Sequence, residues 1–403
     1  MPRVVVIGGG PGGSVTAARL RQRGLDVVVF EKTTFPRFHL GESLLPKSLP
    51  VLETIGVLAK AEARFLLKYG ARFHDDVRAR KDRFSFDGAW KPEPDHAFQV
   101  PRDDFDALLL DHAKELGADV RMETKVDRVV FEGARAIGVS VAGALERADF
   151  VVDASGRDLL TGRAATDKIE GLDQTAIYAH FTDVPRAEGA LAGDIDIVLF
   201  ESGEPERPNW FWFIPFADGR TSVGAVVSRA WMRARAGTST DDLFAAAARE
   251  SSSATELLAR AKRLWPRCEA TADFSYRVRT TAGPGWLAVG DAGGFIDPLF
   301  STGAHLAMTG GLLAADTIAD TLAAPADEGA LVEAWRAKVR AAAETFILAV
   351  QAFYRGPLVE TLFAEDKHAA LRRSITSLLA GDVYGDSVWL RDIRVRLREM
   401  VSP

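Results

Sequence analysis

The opening segment RVVVIGGGPGGSVTAARLRQRGLDVVVFEK, residues 3–32, leaves this chain little freedom of fold. Val4 to Ile7 form an unbroken apolar run, the pattern of a strand buried on both faces of a parallel sheet. Gly8, Gly10 and Gly13 then fill the G-x-G-x-x-G positions. The first glycine permits a tight turn, the second lets a pyrophosphate approach the backbone, and the third lets helix pack on strand. The helix that follows turns free N–H groups and a positive dipole end toward a diphosphate. Gly24 ends that helix and Val27 to Phe30 make a second strand. Glu31 stands about 20 residues beyond the glycines, placed to accept hydrogen bonds from ribose hydroxyls. A doubly wound dinucleotide-binding unit follows.

The 403 residues provide for two or three structural units. A net charge of −6 gives no basic footprint, so nucleic acid is not an expected partner. Cys268 is the single cysteine, which excludes an internal disulfide and a cysteine-built metal cluster; no metal is expected. The chain enters its first strand almost at once, and no apolar run has the length of a membrane span. These features predict a cytoplasmic protein.

Two later stretches favour FAD over NAD. FVVDASGRD is a buried strand ending at Asp153, and GWLAVGDAGGFIDPLFSTGAHLAMTGG is another ending at Gly290-Asp291. This resembles the glutathione-reductase-type FAD fold of the aromatic hydroxylase and halogenase superfamily. The resemblance implies that Asp291 contacts the ribityl and diphosphate region of the flavin. In QVPRDDFDALLLDHAKELGADV, Pro101 opens a helix and Arg102 takes a position that touches FAD in that superfamily.

The nucleotide motifs fall at residues 1–70, 98–165 and 275–325, which predicts a discontinuous FAD domain. Residues 71–97 and 166–274 are rich in aromatic strand-like runs and predict an interleaved, mostly antiparallel substrate sheet, with a helix near TDDLFAAAARE starting at an Asp/Thr cap. Residues 326–403 show helical apolar spacing and are expected to pack over the substrate side.

Three motifs carry the chemistry. In NWFWFIP, residues 209–215, a strand points Trp210, Trp212 and Ile214 to one face and Phe211 and Phe213 to the other. Pro215 has no N–H for a ladder, so the strand should stop or run along an edge there. In FIDPLFSTG, the first amides of a helix starting at Gly303, those of Thr302 and Gly303, form an anion nest at a positive dipole end. In FLLKYGARF, Lys68 sits between apolar residues.

Together these resemble the W-x-W-x-I-P, F-x-x-P-x-x-S-x-G and F-x-x-K-x-G-A-x-F segments of flavin-dependent halogenases. The resemblance implies halide binding at Ser301, Thr302 and Gly303, with Pro298 and Gly303 also against the flavin. It implies an aromatic wall at Trp210 and Trp212 that keeps organic substrate from the flavin-bound oxidant. Lys68 is implied to be catalytic, either hydrogen-bonding hypohalous acid or forming a haloamine from its neutral amine. HLGESLLP, residues 39–46, also resembles a family segment near the flavin, with Glu42 and Ser43 positioning the ring or capping a helix. Tryptophan-type members carry a glutamate before Ser-Thr-Gly where this chain has Phe300. That resembles members acting on phenols or pyrroles.

The resulting expectation is a halogenase using O2, chloride or bromide, and FADH2 delivered by a separate flavin reductase. Its small aromatic substrate is free or held on a carrier protein. Two readings stand beside it: a single-component FAD/NAD(P)H-dependent monooxygenase or reductase of the same fold, and a non-catalytic flavin-binding or carrier-docking protein.

Overall fold

The computed structural model describes the chain apart from residues 163–164, 202, 204–206, 365–367 and 403. The chain opens with β1 (Arg3–Ile7), α1 (Pro11–Gln22) and β2 (Asp26–Phe30). It continues through β3 (Leu66–Lys68), β4 (Gly70–Asp75), β5 (Arg80–Ser85) and β6 (Ala97–Gln99) to α2 (Arg102–Glu115) and β7 (Asp119–Arg121). After a three-stranded antiparallel sheet within 126–147 it reaches β8 (Phe150–Asp153). The middle contributes β9 (Thr175–Thr182), β10 (Ile195–Phe200), β11 (Asn209–Pro215), β12 (Thr221–Val227) and α3 (Thr240–Arg249). Then β13 (Tyr276–Val278), β14 (Trp286–Ala288) and β15 (Gly294–Phe295) lead into α4 (Thr302–Ala323), α5 (Glu328–Tyr354), α6 (Ala369–Leu379) and α7 (Val388–Val401).

The strands β14, β8, β1, β2 and β7 lie side by side in parallel, with the short strand Ala282–Gly283 antiparallel at one edge. Val4 and Val6 face one core with α1, α2 and α4, and Val5 and Ile7 face the other, so both sides of β1 are covered. This is the architecture of a parallel nucleotide-binding sheet.

The second sheet runs β9–β12–β11–β10–β4–β5, with short strands flanking β9. Its neighbours are antiparallel except β10 beside β4, which pair in parallel. Period-two alternation in β11 works as expected. Trp210, Trp212 and Ile214 enter a core shared with Phe346 and Phe353 of α5, Ile375 of α6 and Leu390 of α7. Phe211 and Phe213 enter a separate core with Leu243, Phe244 and Ala247 of α3. The C-terminal helices therefore roof the tryptophan face.

Two local expectations need correction, while a third holds: the strand stops at Pro215, as expected, and β11 is a central strand whose missing N–H falls where the chain turns back into β12. The helix over TDDLFAAAAR is capped by Ser239, whose hydroxyl accepts from Asp242 N–H, rather than by Asp or Thr. The helix after the halide motif begins at Thr302, one residue before Gly303, with Ser301 as its cap residue.

Candidate functional site

The glycine turn has the geometry a diphosphate needs. Gly8 has φ +102°, and a Cβ there would lie 2.3 Å from Ala154 O. A Cβ on Gly13 would lie 2.0 Å from Gly8 O, so only glycine lets α1 sit this close to β1. Gly10 differs: the nearest atom to a Cβ there is Arg37 Nη2 at 3.6 Å. The space over Gly10 is thus open at the N-terminus of α1, where the first amides lack intrahelical acceptors.

Glu31 is buried and already engaged. Its Oε2 accepts from Gly9 N–H at 2.8 Å, and its Oε1 accepts from Thr33 N–H at 2.9 Å and Thr33 Oγ1 at 2.8 Å. A carboxylate has about four lone-pair sites, so capacity for ribose hydroxyls is left. Arg102, also buried, forks onto Asp106 (2.6 and 2.9 Å) and reaches Leu40 O at 2.5 Å, tying α2 to the 39–46 segment. No donor among the described residues reaches the Asp291 carboxyl, which burial pushes up to about 6 against the opposing pull of Arg102 and Arg157. An open glycine shelf, free helix amides and an unpartnered acid fit the diphosphate and ribityl chain of FAD.

The FIDPLFSTG motif forms a tight loop. Ser301 N–H donates to Pro298 O at 3.0 Å, and Ser301 itself adopts a left-handed conformation, φ 55° and ψ 32°. A non-glycine residue there is strained by about 1–2 kcal/mol, a cost concentrated at ligand clamps. The loop turns the amides of Thr302 and Gly303 outward along the axis of α4. A cavity of about 460 Å³ reaches these two residues from between α4, α5 and the β13–β15 ribbon, past Tyr276, Phe295 and Trp335. Phe300 is buried with its ring edge-on to Phe353, 6.3 Å between centroids.

The tryptophan wall is fixed by hydrogen bonds as well as packing. The two indoles lie 6.0 Å apart between centroids. Trp212 Nε1 donates to Ser222 Oγ at 3.1 Å, and its ring lies over Gly224, where a Cβ would come within 2.2 Å of it. Trp210 Nε1 donates to Tyr354 Oη at 2.8 Å, and Tyr354 donates onward to Asp297 Oδ2 at 3.2 Å. Asp297 is fully buried, which pushes its carboxyl up to about 7. The chain Trp210–Tyr354–Asp297 links the wall to the halide loop. The sequence reading missed it, although an acid between Ile296 and Pro298 in an apolar motif was a signal for Asp297.

Lys68 is the last residue of β3 and is 2% exposed. Nζ donates to Ser43 Oγ at 2.8 Å and to Leu44 O at 3.1 Å, and lies 5.4 Å from the centre of the Phe86 ring. Burial lowers its pKa to about 7, opposed only in part by the charge of Asp194. Ser43 is therefore a partner of the lysine in this structure; the sequence had suggested that it positions the flavin ring or caps a helix. Glu42, its neighbour, pairs with His180 of β9 at 2.8 Å instead of capping a helix.

Fold and site together define a flavoprotein of the glutathione-reductase type, an FAD-dependent oxidoreductase with a second, mostly antiparallel sheet. The tryptophan halogenase family model matches residues 3–92 and 78–376, and the chain belongs to that family. A pyrrole-2-carbonyl carrier-protein chlorinase of Pseudomonas fluorescens is 30% identical over 99% of this chain and 93% of its own length. A tryptophan 2-halogenase of Chondromyces crocatus is 31% identical over 87% of this chain and 67% of its own. Among solved structures, the flavin-dependent brominase Bmp2 superposes with a TM-score of 0.88 at 27% identity, covering 99% of this chain and 98% of its own. Enzymes of this family use FADH2, O2 and halide. Among the described residues no helix is long and apolar enough to cross a membrane.

Proposed function

We propose that this chain is an FADH2-dependent halogenase acting on an electron-rich ring, phenol or pyrrole, through Lys68. The observation that carries the reading is the buried Lys68 amine held by Ser43 and Leu44. Gly8, Gly10 and Gly13 cradle the diphosphate, Glu31 the ribose, and Arg102 and Asp291 the ribityl region, with Pro298 and Gly303 against the ring. Ser301, Thr302 and Gly303 hold chloride or bromide. Bound FAD, reduced by a separate reductase, supplies with O2 the oxidation of halide to hypohalous acid.

Lys68 does the rest. Its neutral amine attacks the halogen of hypohalous acid, water leaves, and a haloamine forms on Nζ. The ring then takes the halogen, the N–X electron pair returns to nitrogen, and the ring proton completes the amine. Two N–H groups committed to Ser43 and Leu44 leave the lone pair of the neutral amine pointing away from both. Trp210 and Trp212 keep the ring from the flavin, and Phe300 leaves this wall without the acid that tryptophan-type members carry. The carrier-protein relative supports a tethered substrate.

We divide the chain into an FAD domain at 1–70, 98–165 and 275–325, a substrate domain at 71–97 and 166–274, and a helical region at 326–403. The test is mass spectrometry of a phenol and pyrrole panel with FADH2 supply and bromide or chloride. Halogenated product is expected. Hydroxylated product, with NADPH oxidised without any added reductase, would assign the chain to the single-component monooxygenases.

A further inference from the structure

Two buried acceptors near Lys68 have no donor among the described residues. Gln99 is fully buried in β6, and its Nε2 donates to Gly193 O at 2.8 Å. That bond fixes the amide so that Oε1 is the free end, and Oε1 has no partner. Asp194, next in sequence to Gly193 and 1% exposed, accepts from Arg83 Nε through Oδ2 at 2.7 Å, while its buried Oδ1 has no partner. Register places Gln99 near the lysine, and Gly193, which accepts from Gln99 and packs so close to β3 that a Cβ on it would lie 1.9 Å from Leu67 O, brings Asp194 to the same strand pair. β3 and β6 pair with Lys68 opposite Ala97 and Leu66 opposite Gln99, so Lys68 and Gln99 project from the same face. The charge of Asp194 acts on Lys68, and among the described residues Arg83 is the cation paired with it.

An unsatisfied buried acceptor costs about 1–3 kcal/mol, so two of them close in the fold to Lys68 call for a ligand that completes them. What they lack is a hydrogen-bond donor. We propose that Asp194 Oδ1 and Gln99 Oε1 receive the ring N–H or O–H of the aromatic substrate and present the carbon beside that donor to Lys68. The substrate is therefore a ring carrying its own donor, a pyrrole N–H or a phenol O–H. As the carbon–halogen bond forms and the N–X bond breaks, positive charge spreads onto the donor atom, and the Asp194 carboxylate stabilises it there. Asp194 and Gln99 are specificity-determining residues. This inference rests on the halogenase reading and adds the orientation of the substrate.

The experiment is a competition between pyrrole and N-methylpyrrole, rings of similar reactivity that differ in the donor. Holoenzyme is given bromide, O2 and FADH2, and the ratio of brominated products is divided by the ratio that free hypobromous acid gives. A hydrogen bond to a charged acceptor is worth about tenfold to a hundredfold. Wild type is expected to favour pyrrole by at least about tenfold on that scale, and Asp194→Asn and Gln99→Met each to lose most of the preference while still binding FAD and consuming O2. If Asp194→Asn fails to bind FAD, Gln99→Met alone is decisive, because among the described residues its side-chain amide bonds only Gly193 O. A wild-type ratio equal to that of free oxidant overturns the inference, as does a preference kept in both folded variants. A variant that moves only the pH midpoint shows Asp194 acting on the lysine alone and also overturns it. Bromination of neither ring, while an added scavenger is brominated, overturns the inference but leaves the halogenase reading intact. No bromination of any acceptor overturns the halogenase reading itself.

Discussion

Lys68 Nζ donates to Ser43 Oγ at 2.8 Å, a bond that joins β3 to the 39–46 segment and aims the amine. Because burial holds the lysine near pKa 7, the amine is part neutral at physiological pH, where an exposed lysine is almost wholly charged. A haloamine needs the neutral form. Halogenated product per O2 is therefore expected to rise as pH increases through about 7. If the ammonium merely hydrogen-bonds hypohalous acid, the same ratio falls instead. Ser43→Ala removes one of the two acceptors and is expected to lower product per O2 by about twofold to tenfold with FAD affinity unchanged. A large loss of FAD affinity would return Ser43 to the flavin.

The same burial has a stability consequence. The folded pKa of Lys68 lies below its unfolded value, so its charge opposes folding fully below about pH 7, and the penalty vanishes above the unfolded pKa. Lys68→Met is expected to change stability more favourably at pH 6 than at pH 10, by about 2–4 kcal/mol. Urea midpoints of both proteins at the two pH values check this. An effect independent of pH would place the amine in water.

Gly10 and Gly13 are expected to fail in different ways. A side chain at Gly10 meets only the tip of Arg37, so Gly10→Val should fold and purify as apoprotein, with FAD affinity reduced at least about a hundredfold. Gly13→Ala would drive a Cβ into Gly8 O, which breaks the α1–β1 contact and lowers the melting temperature. Absorbance of bound flavin and thermal melts separate the two outcomes. A Gly10→Val protein with a full flavin complement would contradict this reading of the turn.

Trp212→Ala opens the wall. Loss of an indole from a core costs about 3–5 kcal/mol, so the variant must first be shown to be folded. A folded variant is expected to release more hydrogen peroxide and less halogenated product per O2. Tyr354→Phe keeps the ring volume but takes the acceptor from Trp210 Nε1 and the donor from Asp297. It should show the same leakage at about 1–3 kcal/mol of stability. Unchanged leakage in both would reduce the tryptophans to packing.

Legibility in the sequence followed the range of the interactions. The glycine turn, the alternation of β11 and the aiming of α4 are set by residues close in sequence, and these were readable from spacing alone. The central place of β11 was not, because Pro215 says only that a ladder ends and not which strands lie beside it. The pairing of Ser43 with Lys68, 25 positions apart, depends on β6 bringing the 39–46 segment beside β3. Tyr354 meets Trp210 across 144 positions because α5 folds back over the sheet. Gln99 and Asp194 look like ordinary polar residues until burial strips them of water. Motif resemblance located Lys68, and only the fold supplies its environment.

The central claim is that Lys68 carries halogen from hypohalous acid to the ring. The direct measurement is halogenated product per O2 consumed by wild type, Lys68→Ala and Lys68→Arg under one FADH2 supply with bromide and a pyrrole or phenol substrate. Both variants are expected to bind FAD, consume O2 and oxidise bromide, with the oxidant escaping to a general scavenger. Product per O2 should fall at least about a hundredfold in Lys68→Ala and nearly as far in Lys68→Arg, whose guanidinium stays protonated. Equal product per O2 in wild type and a folded Lys68→Ala would remove the lysine from the mechanism and contradict the claim.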